Sequence, residues 1–435
     1  MFFSNLLVSC PGMAKRSDPF RQKLNIPDII GSVWLTNAAR CHYALSLHDI
    51  GNFAASRYFD RKVAFMERRG FLKGRIAAAV LAAAGAPLLS SCSGVKRADL
   101  PEGEETPKGM DGEDARILRY ASLAPSGHNS QPWFVKVLGK GEWIIGGDPQ
   151  RRLPAVDPEN RELLLSIGAF AENLAIAASV AGYEANIEVL GKNPRDEEVL
   201  RLSLKKAAPA TYPLERLTLR RTVKNGFLSR EIGKEDVKAL AEPHGGRLFY
   251  FPRGTDHARC IQEGTVESYR AQTYRDDAQK ELANWIRFGN TDARKQRDGL
   301  TTEGMEITGF SGWFVRQFMD QGDVMGERFR KQGMEVATQW AAEGAGWMII
   351  TSGGTSVADL IETGRRFERT ALLARERNIA LHPMTQVLEE EKGRREIASN
   401  HGKEVFPQFV LRVGYLDHYP TPVSLRRTVA SFVRV

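Results

Sequence analysis

Apolar and polar residues fall into two periods from residue 114 onward. Residues 114–123 carry apolar side chains at helical spacing, and Pro125-Ser126-Gly127 stops them. Residues 133–138 alternate as a strand, and 143–145 form a second one after a glycine turn. The run 162–181 is a long apolar helix with Gly182 just past its end, where the left-handed cap favours glycine. Strands are expected at 187–190, 247–251, 347–351 and 409–415, and helices at 234–241 and 356–377. Residues 197–205 read as a short strand or an amphipathic turn. Residues 257–288 read as one long amphipathic helix, and 311–330 as more helix.

Two stretches echo each other. Gly168-Ala169-Phe170-Ala171-Glu172 opens a helical run that reaches Gly182, and Gly364-Arg365-Arg366-Phe367-Glu368 opens one that reaches Asn378. Each follows a strand led by tryptophan, Trp143 or Trp347. This pattern predicts a duplicated unit.

Charge changes the picture only at the start of the chain. The net charge is +8, yet residues 92–435 hold 49 basic and 48 acidic residues. The excess sits in residues 1–91, so no basic field argues for nucleic acid. Four cysteines, with no pair at metal-ligand spacing, exclude a disulfide scaffold and suggest no metal site. For Cys260 a small buried or half-buried side chain is expected.

Within the early segment, Arg68-Arg69-Gly70-Phe71-Leu72-Lys73 is a twin-arginine pair. An alanine-rich apolar stretch follows, too short to span a membrane comfortably, and Leu89-Ser90-Ser91-Cys92 closes it. The series resembles a bacterial twin-arginine lipoprotein signal with Cys92 as the lipidated residue. That resemblance implies export in the folded state and a periplasmic or cell-surface location on a lipid anchor. Met66 stands two residues before the arginine pair, so residues 1–65 are expected to be a mis-annotated, disordered extension and 66–91 the signal peptide. Residues 92–112, rich in Gly, Pro and acid, are expected to be a flexible tether.

The segment 124–133, APSGHNSQPW, is a polar turn between helix and strand, whose Ser and Asn side chains suit the edge of a planar heterocycle. Residues 220–227, RRTVKNGF, place two cations around a hydroxyl, as an anion site requires. Residues 382–386, HPMTQ, and 424–429, SLRRTV, are further short polar segments. Together these resemble the signature of the FMN-dependent nitroreductases, and their order resembles the Acg-like branch of that family, over residues 113–435. The resemblance implies an α+β, nitroreductase-like fold with antiparallel-rich mixed sheets flanked by helices, in two nitroreductase-like halves, and FMN contacts at Pro125, Ser126, Gly127 and Asn129. It also implies FMN contacts at Arg220, Thr222, Lys224, Pro383, Thr385, Gln386, Arg426 and Arg427. His382 is a weak candidate proton donor, and no other acid or base is compelling.

In that family each flavin site draws on two subunits. Here the P-S-x-x-N turn occurs once, and the other segments occur only after residue 220. The expectation is a fused, monomeric pseudodimer with one FMN, halves at 113–210 and 211–435, and a helical cover at 257–335. The implied activity is electron transfer to a small conjugated or nitro-type acceptor. The donor is open, a membrane quinol or redox protein being suited to an exported enzyme. The alternative is an FMN-sequestering lipoprotein without turnover.

Overall fold

The structure is a computed structural model that describes residues 93–100, 106–400 and 406–434. The expectations for residues 1–65, the signal segment and Cys92 fall outside these. The elements run α1 (Gly112–Ala121), β1 (Trp133–Gly139), β2 (Glu142–Gly147), α2 (Arg161–Val180), β3 (Tyr183–Val189), β4 (Glu198–Lys206), α3 (Glu215–Leu219), α4 (Lys234–Ala241) and β5 (Leu248–Pro252). They continue with α5 (Asp256–Thr273), α6 (Asp276–Trp285), β6 (Ile286–Arg287), α7 (Asn290–Gln296), β7 (Leu300–Thr301), α8 (Gly309–Phe318), α9 (Gln321–Val324) and α10 (Glu327–Ala342). The remainder is β8 (Gly346–Ser352), α11 (Val357–Glu376), β9 (Ile379–Pro383), α12 (Gln386–Glu389), α13 (Glu391–Asn400), β10 (Phe406–Tyr415), α14 (Val429–Phe432) and β11 (Val433–Arg434).

This is the α+β architecture expected. One five-stranded sheet has the order β11-β1-β2-β4-β3, and a four-stranded sheet has the order β5-β8-β10-β9. Every pairing in these two sheets is antiparallel except β1 with β11, where Val135 stands opposite Val433. The end of the chain thus completes the first sheet. The main core joins α2 to that sheet, with Trp133, Trp143, Phe170 and Phe432 buried in it. Burial of such side chains contributes about 1.5–3 kcal/mol each.

Helices α2 and α11 face each other at the two echoing segments. A Cβ on Gly168 would stand 2.2 Å from the Ile361 carbonyl oxygen, and one on Gly364 would stand 2.1 Å from that of Leu165. Each glycine meets the residue three positions before the other, so the contact is reciprocal. Glycine here permits backbone-to-backbone approach that any side chain would prevent. Four residues on, Glu172 pairs with Arg365 and Arg369 at 3.0 and 2.6 Å, whereas Glu368 pairs with Arg220 at 3.1 Å.

Three expectations need correction. The helix expected at 257–288 is two, because Arg330 donates to the Thr273 carbonyl (2.7 Å) and pairs with Asp276 (2.6 Å), closing one helix and opening the next. The helix expected at 311–330 breaks after Phe318, where Asp320 and Asp323 form a reciprocal capping box. The tether expected at 92–112 is packed at its start. Val95 (2% exposed) and Leu100 lie in a small core with Ala293 and Leu425, and the Arg97 amide donates to the Val423 carbonyl at 3.2 Å.

Candidate functional site

The turn at 124–133 is the most constrained backbone in the described chain. Among the described residues seven non-glycine residues adopt positive φ, and three of them, His128 (50°), Asn129 (51°) and Gln131 (51°), fall in this turn. Left-handed backbone costs such residues roughly 1–2 kcal/mol each, so something must hold it. The Ser126 hydroxyl oxygen accepts from the Gln131 amide at 2.9 Å. Arg426 donates to the Leu123, Ala124 and Leu425 carbonyls and to Asn129 Oδ1, at 2.8–3.2 Å. Arg427 donates from its amide to Gln131 Oε1 and from its guanidinium to the Gln131 carbonyl, both at 2.9 Å. Strand β11 anchors these arginines beside the turn although nearly 300 residues separate them in sequence.

Residues 297–299, within the 257–335 segment, reach the same turn. Asn129 and Gly299 exchange two hydrogen bonds of 3.1 Å, and Gln131 Nε2 donates to the Arg297 carbonyl at 3.0 Å. Arg297 (φ 54°) is itself left-handed. Arg220 donates to the Leu123 carbonyl at 3.0 Å and pairs with the buried Glu368. Burial pushes the Arg426 guanidinium well below its ordinary pKa, with Arg220 and Arg97 adding like-charge repulsion. Burial also raises the Glu368 carboxyl, against the pull of Arg220. Arg220 and Arg426 both act on the buried Glu368 carboxylate.

The turn's other side is acidic. Glu162, at the start of α2, would lie 3.2 Å from a Cβ on Gly127. Burial, then the Glu162 charge, pushes Asp157 up to about 6 and Glu389 well above the usual carboxylate range. Burial lowers the His128 imidazole, and Glu162 opposes it. Gln386 and Thr385 open α12, the short helix that carries Glu389. Gln386 Oε1 is buried without a hydrogen-bond partner among the described residues. Pro383 ends β9 opposite Leu411.

Lys224 lies apart from the turn. Its Nζ donates to the Gly304 carbonyl at 2.8 Å, and Glu306 (φ 60°) accepts from the Lys224 and Asn225 amides and from Arg221. Thr222 is half-buried. Arg412, fully buried, donates to the Trp340 and Lys224 carbonyls and lies 3.2 Å from His382 Nδ1. Burial, then Arg412 and Lys224, holds His382 well below its ordinary pKa. His382 is therefore a neutral acceptor braced on Arg412, which argues against the proton-donor role.

The structure thus brings Pro125, Ser126, Gly127, Asn129, Arg220, Arg426 and Arg427 together, while Lys224 and His382 form a second group. Sequence reading missed His128, Glu162, Glu368 and Glu389, which lie on different segments. Among the described residues, no group of three or more His, Cys, Asp or Glu could hold a metal.

Burial pushes the Lys224 ammonium down to about 8, with Glu306 opposing. The unfolded lysine titrates near 10.4, so between about 8 and 10.4 the unfolded chain holds a proton that the folded one has lost. Stability from this group therefore rises with pH through that window. Denaturant titrations of wild type and Lys224→Met should differ by a slope worth on the order of 1–3 kcal/mol. Parallel pH profiles would contradict the burial.

No family model matches the chain. It is 24% identical over 328 residues to the probable NAD(P)H nitroreductase PigM of Serratia, covering 70% of this chain and 89% of that protein. Two Mycobacterium tuberculosis proteins that also carry NAD(P)H nitroreductase names are 23% and 24% identical, over 74% and 72% of this chain and 92% of theirs. The FMN-dependent nitroreductase NfnB of Mycobacterium smegmatis, solved with NADPH, aligns with a TM-score of 0.32 and 12% identity over 51% of this chain and 96% of its own. At low identity but over most of its length, the chain is similar to proteins named as NAD(P)H nitroreductases.

Proposed function

We propose that this chain is an FMN-binding oxidoreductase of nitroreductase type, exported and lipid-anchored, that holds one FMN in a fused pseudodimer. The observation that carries this reading is where backbone strain collects. Five of the seven left-handed non-glycine residues are His128, Asn129, Gln131, Arg297 and Glu306, in the turn and the segments that clamp it and Lys224. Strain of this kind persists where surrounding structure over-determines it, at ligand clamps and active sites.

The residues suit FMN chemically. Arg220, beside the turn, is a guanidinium of the kind that matches a phosphate. Ser126, Gly127 and Asn129 offer a rigid polar edge, and the unpaired Gln386 Oε1 is an acceptor for a ring N–H. Lys224 supplies a cation that favours an anionic reduced ring. Bound FMN supplies hydride and single-electron chemistry, while the protein supplies orientation and electrostatics. Arg426 and Arg427 act by holding the turn. The reciprocal Gly168 and Gly364 contact supports the fused-halves reading.

The relatives' names point to NAD(P)H as donor, whereas an exported protein meets no NAD(P)H pool. A quinol or redox protein is the donor we favour, with a small conjugated or nitro-type acceptor. A flavin-holding protein without turnover is the second reading, favoured by the bonds from Arg297 and Gly299 that cover the turn. Reduction of the flavin-loaded protein by dithionite, NADPH and a short-chain quinol separates the two. Reduction by quinol within seconds supports the enzyme; reduction by dithionite alone supports the holding protein.

A further inference from the structure

Helices α2 and α11 cross at a reciprocal pair of glycines, so matching positions on the two helices can be compared. One and five residues after Gly364, α11 carries Arg365 and Arg369; at the same distances after Gly168, α2 carries Ala169 and Asn173. Glu172 of α2 therefore meets two cations of the facing helix, Arg365 at 3.0 Å and Arg369 at 2.6 Å. Its counterpart on α11 is Glu368, and α2 offers no cation at the matching positions. Asn173 stands beside that carboxylate instead.

Such a position is costly for a charge. Glu368 and Asn173 are both 0% exposed. Among the described residues, no hydrogen bond reaches either Glu368 oxygen or either amide atom of Asn173. A buried carboxylate stabilises a fold poorly, because desolvation offsets what its ion pair gains and an apolar residue would serve as well. Packing of the two helices therefore does not account for Glu368.

Its cation comes from outside the crossing. Arg220 Nε lies 3.1 Å from Glu368 Oε1, while Arg220 Nη2 donates to the Leu123 carbonyl at 3.0 Å. Leu123 immediately precedes the 124–133 turn, and Arg426 donates to the same carbonyl at 3.0 Å. Two guanidiniums on one oxygen repel each other, and the carboxylate offsets that repulsion. A guanidinium is planar, so holding it at Nε and Nη2 fixes the direction of its third nitrogen, Nη1.

We propose that Glu368 is a positioning residue that aims Arg220 at the phosphate of the bound flavin, and so sets a preference for FMN over riboflavin. This rests on the FMN reading above. Glu368 acts through Arg220: the ion pair sets the guanidinium plane, and a planar donor meets phosphate oxygens only in the right orientation. The duplicated position thus serves the helix crossing in one half, as Glu172, and the ligand in the other, as Glu368.

The test compares the two glutamates. Full-length protein freed of flavin is titrated with FMN and with riboflavin, following flavin fluorescence, for wild type, Glu368→Gln and Glu172→Gln. In Glu368→Gln, FMN affinity should fall about tenfold while riboflavin affinity stays within about twofold of wild type. In Glu172→Gln the ratio of the two affinities should not change. Circular dichroism and melting show that the variants are folded. Should Glu368→Gln fail to fold, Glu368→Asp, which keeps the charge but withdraws it by one methylene, is read by the same ratio. Equal loss of both flavins, unchanged binding of both, or tighter FMN binding in the Glu368 variant would overturn the proposal. An equal shift of the ratio in Glu172→Gln would also overturn it, assigning the effect to the helix crossing. Wild type that takes up neither flavin removes the FMN reading itself, and the proposal with it.

Discussion

Gly168→Ala and Gly364→Ala each destabilise the protein by about 3 kcal/mol or more. Helix propensity alone predicts the reverse, since alanine is favoured over glycine by about 1 kcal/mol in a helix interior. Geometry decides the sign. The new methyl groups would stand 2.2 and 2.1 Å from backbone carbonyl oxygens that no rotamer change can move aside. The helices must separate, opening the main core to voids. Because the two clashes are reciprocal, the two costs should be similar. The double variant should cost less than their sum, because one separation relieves both clashes. Urea titration of the three proteins checks this, and a neutral or stabilising single variant would refute the close crossing of α2 and α11.

Arg426→Met has the second large effect. The guanidinium supplies hydrogen bonds to three carbonyls and to Asn129, and its removal takes a donor from each, with Leu123 keeping Arg220 and Leu425 keeping Asn129 Nδ2. Truncating such a residue costs about 3–5 kcal/mol, partly offset here by relief of repulsion from Arg220 and Arg97. The left-handed turn then loses its brace, so retained FMN should fall at least about tenfold, a loss of some 1.4 kcal/mol in binding. Arg426→Lys should rescue little, because an ammonium cannot span four acceptors in one plane. FMN retained after gel filtration, read beside the urea midpoint, checks both effects. A variant with wild-type stability and full FMN would contradict the role given to Arg426.

Much of the fold was legible because it obeys a period. Helix α2 and helix α11 lie within a residue or two of where apolar spacing put them, as do β1, β2 and β8. The breaks were not legible for a different reason in each case. Arg330 ends α5 from 57 residues away, and no local pattern reports that. The Asp320–Asp323 capping box was a local signal, hidden because apolar residues continue at helical spacing across it. Val95 and Leu100 are two apolar residues in a polar stretch, and only their burial distinguishes them from a tether.

The site divides in the same way. Ser126, Asn129, Arg220 and the Arg426-Arg427 pair were visible as motifs, and the structure unites them through hydrogen bonds. The acidic group joins Asp157 and Glu162, at the entry to α2, with Glu389 on α12, a pairing that distance along the chain does not report. The neutral, acceptor state of His382 depends on Arg412 across the sheet.

The central claim is one flavin per chain, seated at the single turn that ends at Trp133. The absorbance spectrum of the purified full chain, with FMN released and quantified against protein, tests it most directly. A single site gives flavin bands and about one FMN per chain, lost in Arg426→Met. Two FMN per chain, or a colourless protein that takes up no FMN on reconstitution, would contradict it.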